Sequence, residues 1–495
     1  MNKLALIAGM LVAGYSASAT AQEEAARTRA VALPDVIAAA LANNPGLAGA
    51  RTDIDSAEQS VLMEEGRYPY TFQADGSYTT MDSPRLGRED SVSSNTNRSV
   101  VLGSTLSRTF PMGTVAQLRV QGEHYDTESS GLTTGTTGFP GAGYVATARA
   151  SLTQPLLRGA GTEIGEAQLR AARVARVAAR STKRRVESQL IRDVSLGYWE
   201  LWYSGRVVTI NRASLALAEE QEQQARQKLE SGALSVADLA SYETATAQLE
   251  ETVVSSEMSR QQSSIGLSQL VGALGPSPER LVPSTELPEP GPLPGAAAVE
   301  AAIRQDSVEL AELEDQVRLA ETQAQTAGDD MRPRLDLSGY LETNGVSSEL
   351  PHSWQRAGSM SWWSAQVGLV FQLPLEDRKK DAEREKARLA VLRARTSLRA
   401  ARDRIASTAL AAVTNAQAAR ARLATAKRTL EIARTQLTYQ QQRFALGQGL
   451  PMEVQQAQDS VRLAELRVTR AQVDAVEAAL AIDHLMGRLV APRAS

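Results

Sequence analysis

Cysteine is missing from all 495 residues of this sequence, and aromatic residues make up only 4% of it. Without cysteine there are no disulfides, no thiolate metal sites, no cysteine nucleophiles and no lipid-modified N-terminal cysteine. The three histidines, His124, His352 and His484, lie far apart in the sequence and lack metal-ligand spacing. We therefore expect no bound metal and no other cofactor.

Signals for catalysis and for nucleic-acid binding are also missing. The sequence contains no phosphate-binding P-loop and no G-x-S-x-G nucleophile elbow. Its charged residues, 22% of the chain, nearly balance to a formal net charge of −4. This charge is too small and too mixed to favour a nucleic-acid partner. We expect no catalytic residues and no enzymatic activity.

The N-terminus has the pattern of a secretory signal peptide. Lys3 supplies a positive charge, Leu4 to Val12 form a short apolar core, and Ala19-Thr20-Ala21 is a small-residue cleavage site. This predicts a signal peptide over residues 1–21, with a retained N-terminal anchor as the alternative. No later apolar run is long enough to span a membrane as a helix. The mature chain is therefore expected to be periplasmic, secreted or inserted as a β-barrel.

The sequence repeats itself in two halves, residues 22–274 and 296–487. A proline-rich linker at 275–295 joins them, and a tail at 488–495 follows the second. Each half is predicted to contain a short helix, barrel strands and a long helical hairpin.

Several segments alternate between apolar and polar residues, as membrane barrel strands do. The clearest are Trp363 to Leu373, Leu335 to Glu342 and Ala146 to Thr153. A half-buried strand of a soluble sheet is the more common source of any one such segment. Their number and the aromatic residues near their ends favour a barrel.

The first half contains more strand candidates than the second. An extra pair is predicted from Arg98 to Phe110 and from Thr114 to Tyr125. Two segments rich in Ser, Thr, Gly and Asn, Met81 to Asn97 and Thr127 to Ala142, are predicted to be exposed surface loops.

Two segments predict unusually long helices. Glu163 to Glu230 contains no proline, and Arg378 to Leu446 contains neither proline nor glycine. At ~1.5 Å per residue each helix would be roughly 100 Å long. Leu423, Leu430, Leu437 and Phe444 recur every seven residues, which is the spacing of a coiled-coil seam. Shorter return helices are predicted from Val236 to Val271 and from Met452 to Leu485.

The tips of the two helical hairpins correspond to each other. Lys228-Leu229-Glu230-Ser231-Gly232 matches Arg443-Phe444-Ala445-Leu446-Gly447, and an acid, Asp238 or Glu453, lies six residues past each glycine. With Leu41-Ala42-Asn43-Asn44-Pro45 and the junction Gln154 to Gly159, these marks resemble the TolC family of outer-membrane efflux proteins.

This resemblance implies a homotrimer with a 12-stranded membrane β-barrel, four strands per subunit, above an α-helical coiled-coil tunnel in the periplasm. Six strand candidates per subunit would allow up to 18 strands, or the extra pair packs elsewhere. The implied role is a passive exit duct in the outer membrane for a tripartite efflux pump or a type I secretion system. The implied partners are a periplasmic adaptor, an inner-membrane RND or ABC pump and outer-membrane lipid.

The resemblance also suggests functional positions. The residues Gly232, Ala233, Leu234, Gly447, Gln448 and Gly449 match the tips that dock the adaptor, although glycine also forms ordinary helix ends. Asp238 and Glu453 match acids at the tunnel entrance, where three copies would form an anionic ring. An acid in the first turn of a helix is equally well explained by the helix dipole.

Two departures concern gating. Gln456 stands where the family often has a second acid, and Gly449 stands where a basic residue can lock the closed entrance. We therefore expect the closed entrance to be held less firmly or by different contacts than in the family. The competing function is a secreted or periplasmic coiled-coil structural protein or adhesin with a small β domain, which would explain the heptads and the signal peptide.

Overall fold

The computed structural model describes residues 28–86, 92–130, 141–232, 234–272, 280–289, 291–329, 331–373, 375–446 and 448–490. The predicted signal peptide and the tip residues Ala233 and Gly447 lie outside these ranges. The chain divides into two units. We call residues 52–181 and 311–400 the sheet unit, and residues 1–51, 182–310 and 401–495 the helical unit.

The strands are β1 (Thr28–Val31), β2 (Tyr70–Leu86), β3 (Val92–Thr109), β4 (Val115–Ser130), β5 (Gly141–Pro155), β6 (Arg280–Pro283), β7 (Arg334–Ser347) and β8 (Trp362–Gln372). The helices are α1 (Leu33–Asn43), α2 (Pro45–Glu65), α3 (Thr162–Gly165), α4 (Ala167–Glu230), α5 (Val236–Val271), α6 (Ala296–Asp306), α7 (Val308–Asp329), α8 (Leu350–Gly358), α9 (Arg378–Ala445) and α10 (Pro451–Leu485). No described helix combines the length and the apolar character needed to cross a membrane.

Six antiparallel strands form one sheet in the order β2-β3-β4-β5-β7-β8. The extra strand pair of the first half, β3 and β4, therefore lies within this sheet. The turn between them is closed by two backbone hydrogen bonds, from Phe110 N to Thr114 O and from Gly113 N to Phe110 O, both 2.8 Å. Gly113 has φ of 85°, which a side chain would disfavour.

The loop prediction for Met81 to Asn97 is wrong at residues 81–86 and 92–97, and the one for Thr127 to Ala142 is wrong at residues 127–130 and 141–142, because these residues lie in strands. The remaining parts of both predictions, 87–91 and 131–140, lie outside the described residues. The β2–β3 ladder continues until Leu86 pairs with Val92, and the β4–β5 ladder begins with Thr127 opposite Gly141. Ser and Thr lie on both faces here, so the apolar alternation disappears although the backbone ladder does not. In these segments a polar composition therefore does not indicate that the strands have ended.

Helix α8 packs on the sheet at β7 and β5. Gly345 allows this contact, because a Cβ atom there would lie 1.9 Å from the carbonyl oxygen of Ser353. The hydroxyl of Thr343 donates to the carbonyl of Ala357 over 2.7 Å. The side of α8 that carries Ser353 and Ala357 is consequently buried.

The core of the helical unit gathers around Tyr198, which is fully buried. Its hydroxyl donates to the carbonyl of Val31 and accepts from the backbone N–H of Thr285, both over 3.0 Å. The strands β1 and β6 pair in parallel beside it. The proline-rich segment predicted as a linker thus contributes β6 to this core.

The long helices bury only narrow stripes. On α9 the buried residues recur at steps of three or four from residue 405 to residue 423, with one more ten residues farther on: Ile405, Ala409, Val413, Ala416, Ala419, Leu423 and Ala433. This is the seam that the seven-residue spacing predicts. At about 1.5 Å per residue, the 64 residues of α4 and the 68 of α9 give helices close to 100 Å long.

Candidate channel wall and helical tips

One face of the six-stranded sheet is apolar and exposed. The register places the following side chains on it: Tyr70, Phe72, Tyr78, Val100, Leu102, Leu106, Leu118, Val120, Leu152, Leu337, Leu341, Val367, Leu369 and Phe371. Val367 is 78% exposed and Phe72 is 70% exposed. A contiguous apolar surface of this extent marks contact with a membrane or a partner.

Aromatic residues bound this apolar face. On β2 the face runs from Tyr70 to Tyr78, and on β8 it runs from Phe371 to Trp363. Each stretch spans eight residue steps, about 26 Å along the strand. A tilt of about 40° reduces the height to about 20 Å, close to the apolar band of outer-membrane barrels.

The opposite face is polar and carries ion pairs between strands. The guanidinium of Arg119 on β4 meets the carboxylate of Asp75 on β2, with the nearest nitrogen and oxygen 2.7 Å apart. Gly103 lies on the intervening β3, and a Cβ atom there would be 2.7 Å from Arg119 Nη2. The missing side chain is what lets this ion pair cross the strand. Arg149 lies 3.4 Å from Glu342 farther along the same face.

Both edges of the sheet are open. In the described part of the chain, the outer edges of β2 and β8 pair with no other strand. Their backbone N–H and C=O groups would be unsatisfied in lipid, where each costs several kcal/mol. A sheet with an apolar face and two open edges needs further strand partners before it can enter a membrane.

Ion pairs connect the four helices of the two hairpins in the order α5-α4-α10-α9. Arg226 of α4 binds Glu243 of α5 over 3.1 Å. Arg470 of α10 binds Glu200 of α4 over 2.6 Å. Arg434 of α9 binds Glu465 of α10 over 2.7 Å. The helices α5 and α9 are therefore the ends of this row.

The two end helices have opposite charge. Helix α5 contains five acids and one base, whereas residues 405–445 of α9 contain six bases and one acid. Glu250 and Glu251 are exposed on α5, as are Arg422, Lys427 and Arg428 on α9. Complementary ends favour head-to-tail contact between copies.

The first hairpin tip turns at Gly232, whose φ is 73°. Its N–H donates to the carbonyl of Leu229 over 2.9 Å, which ends α4. Ser235 caps α5 by accepting the N–H of Asp238 over 3.2 Å, and its hydroxyl donates to the Asp238 carboxylate over 2.6 Å. Leu234 is half-buried, and Asp238 is part of the helix cap.

The second tip is held by Arg443, which sequence reasoning did not single out. Its guanidinium lies 3.5 Å from the Glu453 carboxylate and donates to the carbonyl of Gln448 over 2.9 Å. The Leu450 N–H also donates to Glu453, over 3.4 Å. A Cβ atom on Gly449 would approach the backbone N of Phe444 to 3.1 Å. Arg443 precedes Glu453 by ten residues across a turn, which is the available sequence signal.

Within the described ranges, no three His, Asp or Glu side chains are close enough to hold a metal ion. Lys228 at the first tip lies over the ring of Phe444 at the second, 5.8 Å from its centroid. The two predicted docking tips, so far as they are described, are therefore neighbours in the helical unit.

Residues 301–488 match the family model described as outer membrane efflux protein. No curated protein sequence matches the chain. The matched segment contains α7, β7, β8, α9 and α10, and so includes two strands of the sheet and the second helical hairpin.

Solved outer-membrane channels have a similar structure. The outer membrane protein VceC of Vibrio cholerae is 15% identical, with a TM-score of 0.65, over 92% of this chain and 96% of that chain. The CmeC outer membrane channel of Campylobacter jejuni is 14% identical, with a TM-score of 0.60, over 92% and 85%. The MtrE outer membrane channel of Neisseria gonorrhoeae is 16% identical, with a TM-score of 0.58, over 92% and 88%. At these identities the likeness establishes the fold.

The family and these structural neighbours are transport channels and not enzymes, and they support an efflux channel located in the outer membrane. The resemblance noted in the sequence is thereby confirmed. Residues 301–488 thus match the outer membrane efflux protein family, and over most of its length the chain has the fold of outer-membrane channels.

Proposed function

We propose that three copies of this chain form a channel in the outer membrane that serves as a passive exit duct for efflux or secretion. The observation that carries the proposal is the six-stranded sheet, with one exposed apolar face, one polar face and two open edges. Such a sheet satisfies its backbone in lipid by closing with copies of itself into a barrel.

The strand count follows from the same sheet. Three copies with six strands each would give 18 strands, the larger of the two numbers considered from the sequence. At a strand tilt of about 40°, 18 strands give a barrel radius of about 18 Å, against about 12 Å for 12 strands. A barrel of that size leaves an aqueous channel.

The helical unit supports closure independently. The acidic end helix α5 of one copy would meet the basic end helix α9 of the next, and head-to-tail contacts of this kind close into a ring. The helices would then wall a tunnel that projects into the periplasm.

The tips are proposed to dock a periplasmic adaptor, which would link the duct to an inner-membrane RND or ABC pump. The residues concerned are Gly232, Ala233, Leu234, Gly447, Gln448 and Gly449. Asp238 and Glu453 would lie near the tunnel entrance, although each is already held by its own helix cap. Cation selectivity of the single channel in Glu453→Gln tests their role, and unchanged selectivity would leave them as capping residues.

Membrane fractionation and gel migration test the channel itself. We expect the mature protein in the outer-membrane fraction, running as an oligomer that heating dissociates and forming stable pores in planar bilayers. A soluble monomer without affinity for detergent would contradict the proposal. It would favour the secreted or periplasmic coiled-coil protein.

Docking can be tested separately at Gly232. Asparagine tolerates the left-handed backbone conformation, so Gly232→Asn preserves the turn with a small side chain, whereas Gly232→Trp adds bulk at the tip. We expect Gly232→Trp to lose export with normal membrane insertion, and Gly232→Asn to keep most of it. Equal export by both variants would remove the docking assignment.

A further inference from the structure

Two arginines face each other on the polar side of the sheet. Arg119 of β4 and Arg149 of β5 are direct partners in the strand register. Like charges at such positions destabilise a sheet unless other groups compensate them. The two side chains are compensated very differently.

Arg119 is almost fully hydrogen-bonded. Its terminal nitrogens donate to both carboxylate oxygens of Asp75, over 3.1 and 2.7 Å, and to the Thr105 hydroxyl over 3.1 Å. Its Nε donates to the side-chain oxygen of Gln121 over 3.2 Å. These contacts fix the guanidinium of Arg119 in one position.

Arg149 is held less tightly, by a ring contact and an ion pair. Its guanidinium lies over the ring of Tyr340, with 3.7 Å from the central carbon to the ring centroid. Its Nε is buried without a hydrogen-bond partner among the described residues. Glu342 is nearby, at 3.4 Å from that nitrogen, but its other oxygen is held by the side chain of Asn344 over 3.2 Å.

Both arginines border one cavity on the polar face. It has a volume of about 310 Å³ and is lined by further hydroxyl and amide groups from Gln117, Ser151, Thr153, Ser338 and Gln366. The terminal nitrogens of Arg149 make no hydrogen bond to the described residues, and its guanidinium is stacked on an aromatic ring beside several hydroxyls. The planar guanidinium fork matches the geometry of an oxyanion.

We propose that this cavity, which we call the arginine cavity, is a weak binding site for solutes carrying a carboxylate, sulfonate or phosphate group. Its use by transported solutes rests on the proposed function, in which the polar face of the sheet lines the pore. Glu342 competes with the solute for Arg149, so binding is weak and release is fast. A conduction pathway requires both properties.

The test measures phosphate binding by the full-length protein in detergent, through ³¹P line broadening of inorganic phosphate. We expect Arg149→Gln to weaken binding at least about tenfold, as for the loss of a charge-assisted hydrogen bond. Glu342→Gln removes the competing charge and should tighten binding about threefold. Arg98→Gln removes a charge from the same sheet outside the cavity and should leave binding unchanged.

Phosphate affinity of Arg149→Gln equal to wild type, or weaker binding by Glu342→Gln, would overturn the site. If Arg149→Gln does not fold, the direction of change in Glu342→Gln decides alone. Bilayer recordings separate the two proposals. Phosphate binding without any pore would refute the duct and retain the site, whereas pores without phosphate binding would refute only the site.

Discussion

Gly103 is needed because an ion pair passes over it. The ion pair between Asp75 and Arg119 joins β2 to β4 above this glycine, and an added Cβ atom would lie 2.7 Å from Arg119 and 3.0 Å from Asp75. The glycine is therefore a requirement of the polar face, although glycine within a strand is itself unfavourable.

We predict that Gly103→Ala lowers the free energy of unfolding by about 1 kcal/mol, because one of the two charged side chains must move. Gly339→Ala is the matched control. Its Cβ atom would meet nothing closer than 3.5 Å, so the reduced freedom of the unfolded chain should make it neutral or slightly stabilising. Thermal unfolding in detergent measures both, and equal melting temperatures would contradict the prediction.

His484 is a second residue with a measurable consequence. Burial lowers the pKa of His484 below its usual range, and the Arg192 charge lowers it further, while Asp193 opposes this. Its Nδ1 lies 3.0 Å from the hydroxyl of Ser188. The folded protein therefore keeps His484 neutral at a pH where the unfolded chain already binds a proton.

We predict that His484 lowers stability as the pH falls from about 6.5, where an unfolded histidine titrates, towards its depressed folded pKa. His484→Gln should reduce the loss of melting temperature between pH 7.5 and 5.5. His352→Gln, on the exposed part of α8, is the control. An unchanged pH profile in His484→Gln would show that other groups dominate this range.

Among the elements, α8 approaches the sheet most closely at Gly345. We predict that Gly345→Ala detaches it, because the new Cβ atom would lie 1.9 Å from the backbone of α8. Trypsin should then cleave at Arg356, which otherwise donates to the carbonyl of Val346 over 2.6 Å. Gly368→Ala, with its nearest atom 3.6 Å away, should retain resistance, and resistance in both variants would refute the prediction.

The ends of the long helices were predictable where the sequence contains a glycine, a proline or a capping residue at the boundary. Gly232 and the cap at Ser235 delimit α4 and α5 to the residue, and Pro451 begins α10. The strand ends beyond Thr79 were not predictable, because polar residues on both faces remove the alternation between apolar and polar residues that identifies a strand. The pairs of Asp75 with Arg119 and of Arg443 with Glu453 depend on strand register and turn geometry, which composition does not encode.

At the scale of the whole molecule, the opposite charges of the end helices α5 and α9 would determine how neighbouring copies bind each other. We predict that changing Arg422, Lys427 and Arg428 to glutamate dissociates the oligomer, because acidic α5 would then face acidic α9. Adding Glu250→Lys and Glu251→Lys should restore it, since the complementary signs return. Native gel migration and light scattering in detergent provide the measurement, and an oligomer unaffected by the first set would place the contact elsewhere.

The strands β2, β3 and β4 continue for about six to eight residues beyond the aromatic boundary at Tyr78, and most residues of this stretch are polar. In the proposed channel this stretch, about 20 to 26 Å of ladder at ~3.3 Å per residue, would extend beyond the lipid on the cell exterior. Because its strands are hydrogen-bonded in register, this stretch would form a rigid surface outside the membrane. Any molecule that binds this surface would contact a fixed backbone, so substitutions there would change the side chains that it meets while the strand pairing is kept.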